Sequence, residues 1–164
     1  MRQRVHVIGT GSPFGDDRLG WAAAEVLRDS LALDGDWIEV SKLDRPGALL
    51  PLHWQGADAV ILLDAVCSGA TPGTRHRLAA CDLPDAHVLC SSHGFGIASA
   101  IRLAQALGDL PSRLLLCGVE ADPAWTGAGL SPAVTAALPS FVTDIAEEAR
   151  LLAGFHAPAA ANRA

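Results

Sequence analysis

Residues 57–66, with the sequence Ala-Asp-Ala-Val-Ile-Leu-Leu-Asp-Ala-Val, decide the fold of this chain. Their nearly continuous apolar core is typical of a central parallel strand that is buried on both faces. Residues 113–119 (RLLLCGV) form a second run of this kind, and residues 5–8 form a shorter one that leads into Gly9-Thr10-Gly11. Strands buried on both faces need a layer of helices above and below the sheet, so the sequence predicts an α/β domain.

The segments between these runs alternate between helical and strand patterns. Apolar residues at helical spacing, together with proline or cap residues at the starts, predict helices at residues 17–31, 46–54, 94–107 and 131–153. Further strands are predicted at residues 37–43 and 75–80, the second at a sheet edge with an antiparallel direction as one option. Pro139 is expected to kink or divide the last helix. This order predicts a three-layer, doubly wound fold: a twisted sheet of about five mostly parallel strands with helices on both faces.

Length and composition predict one domain with a substantial core. The chain has 164 residues, of which 50% are hydrophobic and 18% are charged. These values are typical of a globular domain and exclude a disordered chain. The domain is expected to span residues 1–155, and the Ala-rich residues 156–164 are expected to form a flexible tail.

Charge and cysteine usage narrow the class of partner and the compartment. The net charge of −6 argues against a nucleic-acid or anionic-membrane partner, because phosphate groups need a basic surface. The apolar stretch near the N-terminus is too short for a signal peptide, and no window reaches the ~20 apolar residues of a membrane helix. A cytoplasmic monomer is therefore expected. The four cysteines form no C-x-x-C pair, and all are expected to be buried, reduced thiols: Cys67, Cys81, Cys90 and Cys117.

Binding sites in such sheets form beyond the carboxyl ends of the strands. Three polar segments are predicted to meet there: residues 9–17 after the first strand, Asp64 at the end of the central strand, and residues 91–94 (SSHG) at a helix start. Asp17, Asp64 and His93 would bring two carboxylates and one imidazole to this edge. Such ligands suit an open site for a divalent metal ion such as Ni²⁺ or Zn²⁺.

The glycines after the first strand also allow a different interpretation, because Gly9-x-Gly11 could cradle a phosphate. Phe14, however, occupies the place of the third glycine of the dinucleotide-binding motif. Asp16 and Asp17 would in addition repel a phosphate group. A metal site or a simple turn is therefore favoured over a nucleotide site.

The candidate site residues could also have purely structural roles. Asp16 is predicted to cap the helix that follows it. Asp64 could accept hydrogen bonds from amides of the next loop, and His93 could cap its own helix. The chain has no G-x-S-x-G, H-E-x-x-H or Cys-His signature of a classical hydrolase. The remaining histidines lack such a context and are expected to be surface or structural residues: His6, His53, His76, His87 and His156.

The order of these motifs resembles the [NiFe]-hydrogenase maturation endopeptidases. The family opens with a strand, G-x-G-N, a short apolar loop, an acidic pair and a nearby glycine, which is similar to VIGTGSPFGDDRLG at residues 7–20. The later segments that look like family motifs are LLDA at 62–65, SSH at 91–93, LLCGVE at 115–120 and GLSPAV at 129–134. The resemblance covers about residues 5–150 and implies the phosphorylase/hydrolase-like form of the α/β fold.

The resemblance also implies an activity. It implies a metal-dependent, aspartic-type endopeptidase that removes the C-terminal extension of a hydrogenase large-subunit precursor after that subunit has received nickel. Nickel would then be supplied by the substrate precursor, and Asp17, Asp64 and His93 would serve as its ligands and as the catalytic residues. A metal ion in this position can polarise a carbonyl group or lower the pKa of bound water.

The chain departs from the family pattern in three places. Ser12 replaces the usual Asn, and the loop before the acidic pair is one residue shorter. Residues 43–47 (LDRPG) stand where many members carry D-G-G-T-x-G. That loop lines the cleft in the family, so its change bears on the choice of substrate.

Three other functions fit parts of the same pattern. A nickel- or zinc-binding chaperone without peptidase activity would use the same ligands, but it would not remove a tail of fixed length. A small-molecule hydrolase or phosphorylase could use the same scaffold, with a deep pocket in place of an open groove. A nucleotide-binding regulator would rely on the first glycines, and the acidic pair disfavours it.

Overall fold

The computed structural model describes residues 1–80 and 96–155. Within them a sheet is built from β1 (Val5–Gly11), β2 (Ile38–Asp44), β3 (Ala59–Val66), β4 (Arg75–Ala79) and β5 (Arg113–Glu120). The strand order is β2-β1-β3-β5-β4. β1, β2, β3 and β5 are parallel, whereas β4 runs antiparallel to β5 at the edge. The predicted five-stranded, mostly parallel sheet with β4 at its edge is therefore confirmed.

Helices cover both faces of this sheet. The described α-helices are α1 (Leu19–Ser30), α2 (Ile97–Leu107) and α3 (Pro132–Ala153). One hydrophobic core joins α1 and α3 to the face that includes Ile61 and Leu63, and a second core joins α2 to the face that includes Val60 and Leu62. Both faces of β3 are thus buried, which explains its continuous apolar sequence.

The helix expected at residues 46–54 is instead a 3₁₀ segment, Gly47–Trp54. Pro51 lies inside it, and a proline lacks the N–H group that an α-helix needs at this position. Leu50 and Trp54 still reach the core beside α2. The segment therefore packs beside α2 although it is not an α-helix.

The first helix also begins later than expected. A 3₁₀ turn, Gly15–Arg18, precedes α1, and a third 3₁₀ segment, Ala32–Trp37, separates α1 from β2. Asp16 and Asp17 therefore lie in a tight turn next to the end of β1 and not on the helix itself.

α3 continues through Pro139, so the predicted division of this helix is wrong. Phe141, Val142 and Ile145 are buried against the sheet directly after the proline, and this burial outweighs the one lost backbone hydrogen bond. The predicted N-cap is confirmed, because the Ser131 side chain accepts a hydrogen bond from Val134 N at 3.3 Å.

Two predictions about the chain as a whole meet the structure only in part. Cys117 is buried, as expected, but Cys67 is exposed because it follows the end of β3 in a surface loop. Cys81, Cys90 and the predicted tail at residues 156–164 lie outside the described residues. No helix within residues 1–80 and 96–155 is long and apolar enough to cross a bilayer.

Candidate functional site

Asp64 and Asp17 lie close together at the carboxyl edge of the sheet. Asp64 lies near the carboxyl end of β3. Asp17 follows β1, which is the neighbour of β3 in the sheet. Burial, followed by the negative charge of Asp17, raises the pKa of Asp64 to about 8. Hydrogen bonds from Ala65 N, at 2.8 Å, and from the Thr10 side chain oppose this rise only in part. At neutral pH Asp64 therefore carries a proton for most of the time.

One carboxylate oxygen of Asp17 is buried. Its Oδ2 has no hydrogen-bond partner among the described residues. Burying a carboxylate oxygen in this way is unfavourable unless a cation or a donor satisfies it. A second carboxyl group beside it increases the negative potential at the same place. The pair therefore suits a divalent cation, for which carboxylate oxygens are ordinary ligands.

Close backbone packing brings the two carboxylates together. A Cβ atom added to Gly20, at the start of α1, would lie 2.2 Å from Thr10 O and 2.5 Å from Leu63 O. A Cβ added to Gly9 would lie 2.0 Å from Gly20 O. The first turn of α1 can therefore rest on the ends of β1 and β3 only because these residues lack side chains. The glycines that resembled a phosphate-binding motif serve this helix–sheet contact.

Asp16 does not cap α1, so this prediction is wrong. Its carboxylate accepts hydrogen bonds from Asp122 N at 2.8 Å and from Ser131 N at 2.6 Å, both in the connection after β5. The neighbouring 3₁₀ turn and α1 have no side-chain cap. Both carboxylate oxygens of Asp16 therefore accept hydrogen bonds from the connection after β5.

The third predicted ligand, His93, lies outside the described residues, as do Ser91 and Ser92. The structure thus brings together Asp17 and Asp64, two of the three residues selected from the sequence. Residues 1–80 and 96–155 contain no group of three or more His, Cys, Asp or Glu side chains that could hold a metal ion.

The atypical loop at residues 43–47 contributes a cation beside the acid pair. Arg45 N donates to Gly11 O at 3.1 Å, and Arg45 Nε donates to Asp44 Oδ1 at 2.7 Å. Its backbone has a φ of 40°, in the left-handed region that non-glycine residues rarely adopt. The Asp44 hydrogen bond and charge, and to a smaller extent the charge of Asp17, raise the pKa of the Arg45 guanidinium. The departure of this loop from the family pattern is visible in the sequence, but no sequence signal indicates that Arg45 lies beside Asp17.

Glu120, at the end of β5, organises the loop after β3. Its carboxylate is 2% exposed and accepts hydrogen bonds from Ser68 N at 2.7 Å, Ser68 Oγ at 2.8 Å and Gly69 N at 2.8 Å. His76 Nε2 lies 2.9 Å from Glu120 Oε2, which confirms the expected structural role of this histidine. Burial alone would raise the pKa of Glu120, but these hydrogen bonds outweigh it and lower the pKa.

Glu120→Gln is expected to destabilise the fold by about 2 kcal/mol at pH 7, because the amide replaces one acceptor oxygen with a donor that faces N–H groups. Since the folded-state pKa of Glu120 is lowered, its stabilisation is complete above the pKa of the unfolded chain and is lost as the pH falls through the folded-state value. The difference between the two proteins in urea unfolding should therefore shrink in acid. An equal difference at pH 3 and pH 7 would contradict this role.

A comparison with known sequences relates the chain to one family. The profile of the hydrogenase maturation protease HycI matches residues 47–148. The hydrogenase expression/formation protein HupD of Rhodobacter capsulatus is 31% identical over 156 residues, which cover 90% of this chain and 72% of HupD. Residues 47–148, the segment that matches the family profile, include Asp64 and Glu120.

Solved structures share the fold. The hydrogenase maturating endopeptidase HybD from E. coli superposes with a TM-score of 0.71 at 24% identity, over 90% of this chain and 93% of HybD. A [NiFe] hydrogenase maturation protease HycI from Thermococcus kodakarensis KOD1 gives a TM-score of 0.67 at 20% identity, over 91% and 94% of the two chains. These likenesses establish a common α/β architecture.

Proposed function

The chain belongs to the hydrogenase maturation protease family, and from this premise we propose that it removes the C-terminal extension of a nickel-loaded [NiFe]-hydrogenase large-subunit precursor. The observation that carries the proposal is the acid pair. The buried Oδ2 of Asp17 has no hydrogen-bond partner within residues 1–80 and 96–155, and the pKa of Asp64 is raised to about 8. Both features are relieved by a divalent cation that enters between the two carboxylates.

In this proposal Asp17 and Asp64 are metal ligands and catalytic residues. His93 is the third ligand on the strength of its resemblance to the family motif. The nickel ion is part of the substrate and arrives in the precursor. When bound, it supplies Lewis acidity, which polarises the scissile carbonyl or activates a water molecule. The protein side chains fix the position of the ion relative to the tail that is cut.

The acid pair also explains why nickel would have to be present before cleavage. In the free enzyme, Asp64 holds a proton at neutral pH because its pKa is about 8. It loses this proton when a cation compensates the negative charge of both carboxylates. A precursor without nickel offers no such compensation, so its tail would not be held at the site. Cleavage then acts as a checkpoint for metal insertion.

The partner in this proposal is a single large-subunit precursor, which the enzyme meets as a cytoplasmic monomer. Burial raises the pKa of the Cys117 thiol to about 12 and leaves it protonated and unreactive. The exposed Arg45 lies beside the acid pair, in the loop where the chain departs from its family, and is available to the bound precursor.

The proposal is tested by incubating the purified protein with precursor that is loaded with nickel, loaded with zinc or free of metal, followed by intact-mass measurement. We expect a fixed loss of mass at the C-terminus only for the nickel-loaded precursor. Transfer or retention of nickel without any loss of mass would show a metal chaperone instead. An unchanged precursor together with hydrolysis of small esters or amides would show a small-molecule hydrolase.

His93→Ala is expected to lower cleavage of nickel-loaded precursor by at least about a hundredfold, because a tridentate site loses its nitrogen ligand. His53→Ala is the matched control, since His53 is exposed at the opposite, amino-terminal end of the strands. Initial rates from mass spectra and melting temperatures should be recorded for both variants. Full activity of the His93 variant would remove this residue from the site.

A further inference from the structure

We propose that Asp16 is a positioning residue that holds Asp17 in place for the metal ion. This inference rests on the proposed function, because it assigns to Asp16 a role in the same site. Asp16 itself does not face the acid pair, since both of its carboxylate oxygens bind backbone N–H groups on the far side of the turn. Its effect on the reaction is transmitted through the residue that follows it.

Asp16 anchors the turn that contains it to a distant part of the chain. It is 7% exposed, and its two hydrogen bonds of 2.8 and 2.6 Å reach Asp122 and Ser131, at the two ends of the connection between β5 and α3. A further backbone bond, from Gly15 N to Ala128 O at 3.0 Å, joins the same turn to the same connection. Hydrogen bonds to a buried carboxylate are stronger than those between neutral groups. The turn is therefore fastened to a second part of the sheet edge.

The backbone of Asp17 is also held from the side of β1. Ser12 N donates to Asp17 O at 3.2 Å. A Cβ atom added to Gly11 would lie only 1.9 Å from Asp17 O, so the two backbones are in direct contact. Asp17 thus sits between the end of β1 and the anchor formed by Asp16.

The side chain of Asp17 is held less firmly than its backbone. Within the described part of the chain, no hydrogen bond holds its Oδ2. Since no described hydrogen bond holds this oxygen, its position depends on the backbone turn that carries Asp17. A metal ligand needs its orientation held within narrow limits, and outer-sphere partners normally provide this. Here Asp16 provides it through the peptide that it shares with Asp17.

Asp16→Asn tests the inference, because it keeps the size of the side chain but places an NH₂ group against one backbone N–H. The matched control is Ser131→Ala, which removes the α3 cap but leaves the Ser131 N–H that Asp16 binds. Three quantities should be measured well below each melting temperature: kcat/KM on nickel-loaded precursor, the Kd for Ni²⁺ alone by calorimetry, and the far-UV circular dichroism spectrum. Asp16→Ser is a second variant in case Asn prevents folding.

We expect Asp16→Asn to weaken Ni²⁺ binding and to lower kcat/KM, each by about tenfold or more, in protein that is fully folded. Ser131→Ala should change both quantities by less than about twofold, even if its melting temperature falls by a similar amount. Equal effects of the two variants would show that Asp16 acts only on stability and would overturn the inference. Absence of cleavage by the unmodified protein would instead overturn the proposed function, so the two failures are distinguishable.

Discussion

Asp64→Asn is expected to abolish cleavage of nickel-loaded precursor and, at the same time, to make the folded protein more stable at alkaline pH. Activity is lost because an amide is a poor ligand for the metal ion and carries no charge. Stability rises because the amide imposes none of the cost of ionising a buried carboxyl group next to Asp17.

The sign of the pH dependence follows from the direction of the pKa shift. In the folded protein the pKa of Asp64 is raised to about 8, so the folded state binds this proton more tightly than the unfolded chain does. The corresponding stability is complete below the unfolded-state pKa of about 4 and is lost as the pH rises through 8. Asp64 is buried only in part, so solvent screens some of this effect. We therefore expect the free energy of unfolding of the Asn variant to exceed that of the parent by about 2 kcal/mol at pH 9 and by almost nothing at pH 4.

Urea unfolding of both proteins between pH 4 and pH 9, together with cleavage assays, checks this result. Asp29→Asn is the matched control, because Asp29 is an exposed carboxylate on α1 and its replacement should leave activity and the pH profile unchanged. An Asp64 variant that cleaves normally would remove the residue from the site. A variant that is less stable than the parent at pH 9 would show that Asp64 is a structural anion.

The second large effect is expected for Gly20→Ala, which should destabilise the protein by about 3 kcal/mol or more. The new Cβ atom would lie 2.2 Å from Thr10 O and 2.5 Å from Leu63 O. Both neighbours are backbone atoms of central strands and cannot move aside. α1 would therefore have to shift away from the sheet. Cleavage should fall as well, because the turn with Asp17 would move away from Asp64.

Gly129→Ala provides the control for this change. A Cβ atom at Gly129 meets no atom of the described residues within 4 Å, so the stability of this variant should remain within about 0.5 kcal/mol of the parent. Midpoints of urea unfolding and initial rates of cleavage give both readouts. If Gly20→Ala were as stable as Gly129→Ala, the close contact between α1 and the strand ends would not be required for the fold.

Much of the architecture could be predicted because strands that are buried on both faces have nearly continuous apolar sequences. The runs at residues 57–66 and 113–119 became β3 and β5, and alternate residues of β3 face two separate cores. The 3₁₀ segment at Gly47–Trp54 was missed as such, although Pro51 within it was visible in the sequence. Helix type depends on which N–H groups find acceptors, and hydropathy patterns do not report this.

The site was predictable only as far as single residues carried a local signal. Asp64 stood out because an acid that ends a buried apolar strand needs a partner, and the structure places it beside Asp17. Asp16 carried a misleading signal, because an acid before a helix usually caps it. Its actual partners, Asp122 and Ser131, lie more than a hundred residues further along the chain.

The amino-acid sequence by itself determined the α/β class, the buried strands and the edge at which the acidic residues gather. It could do so because secondary structure and burial depend on neighbours within a few positions along the chain. Only the tertiary structure decided that Gly20 lets α1 touch β1 and β3, that Asp17 and Asp64 influence each other, and that Asp16 anchors the turn between them. These relations depend on distances between residues that are remote in sequence, and the packing of the whole sheet sets those distances.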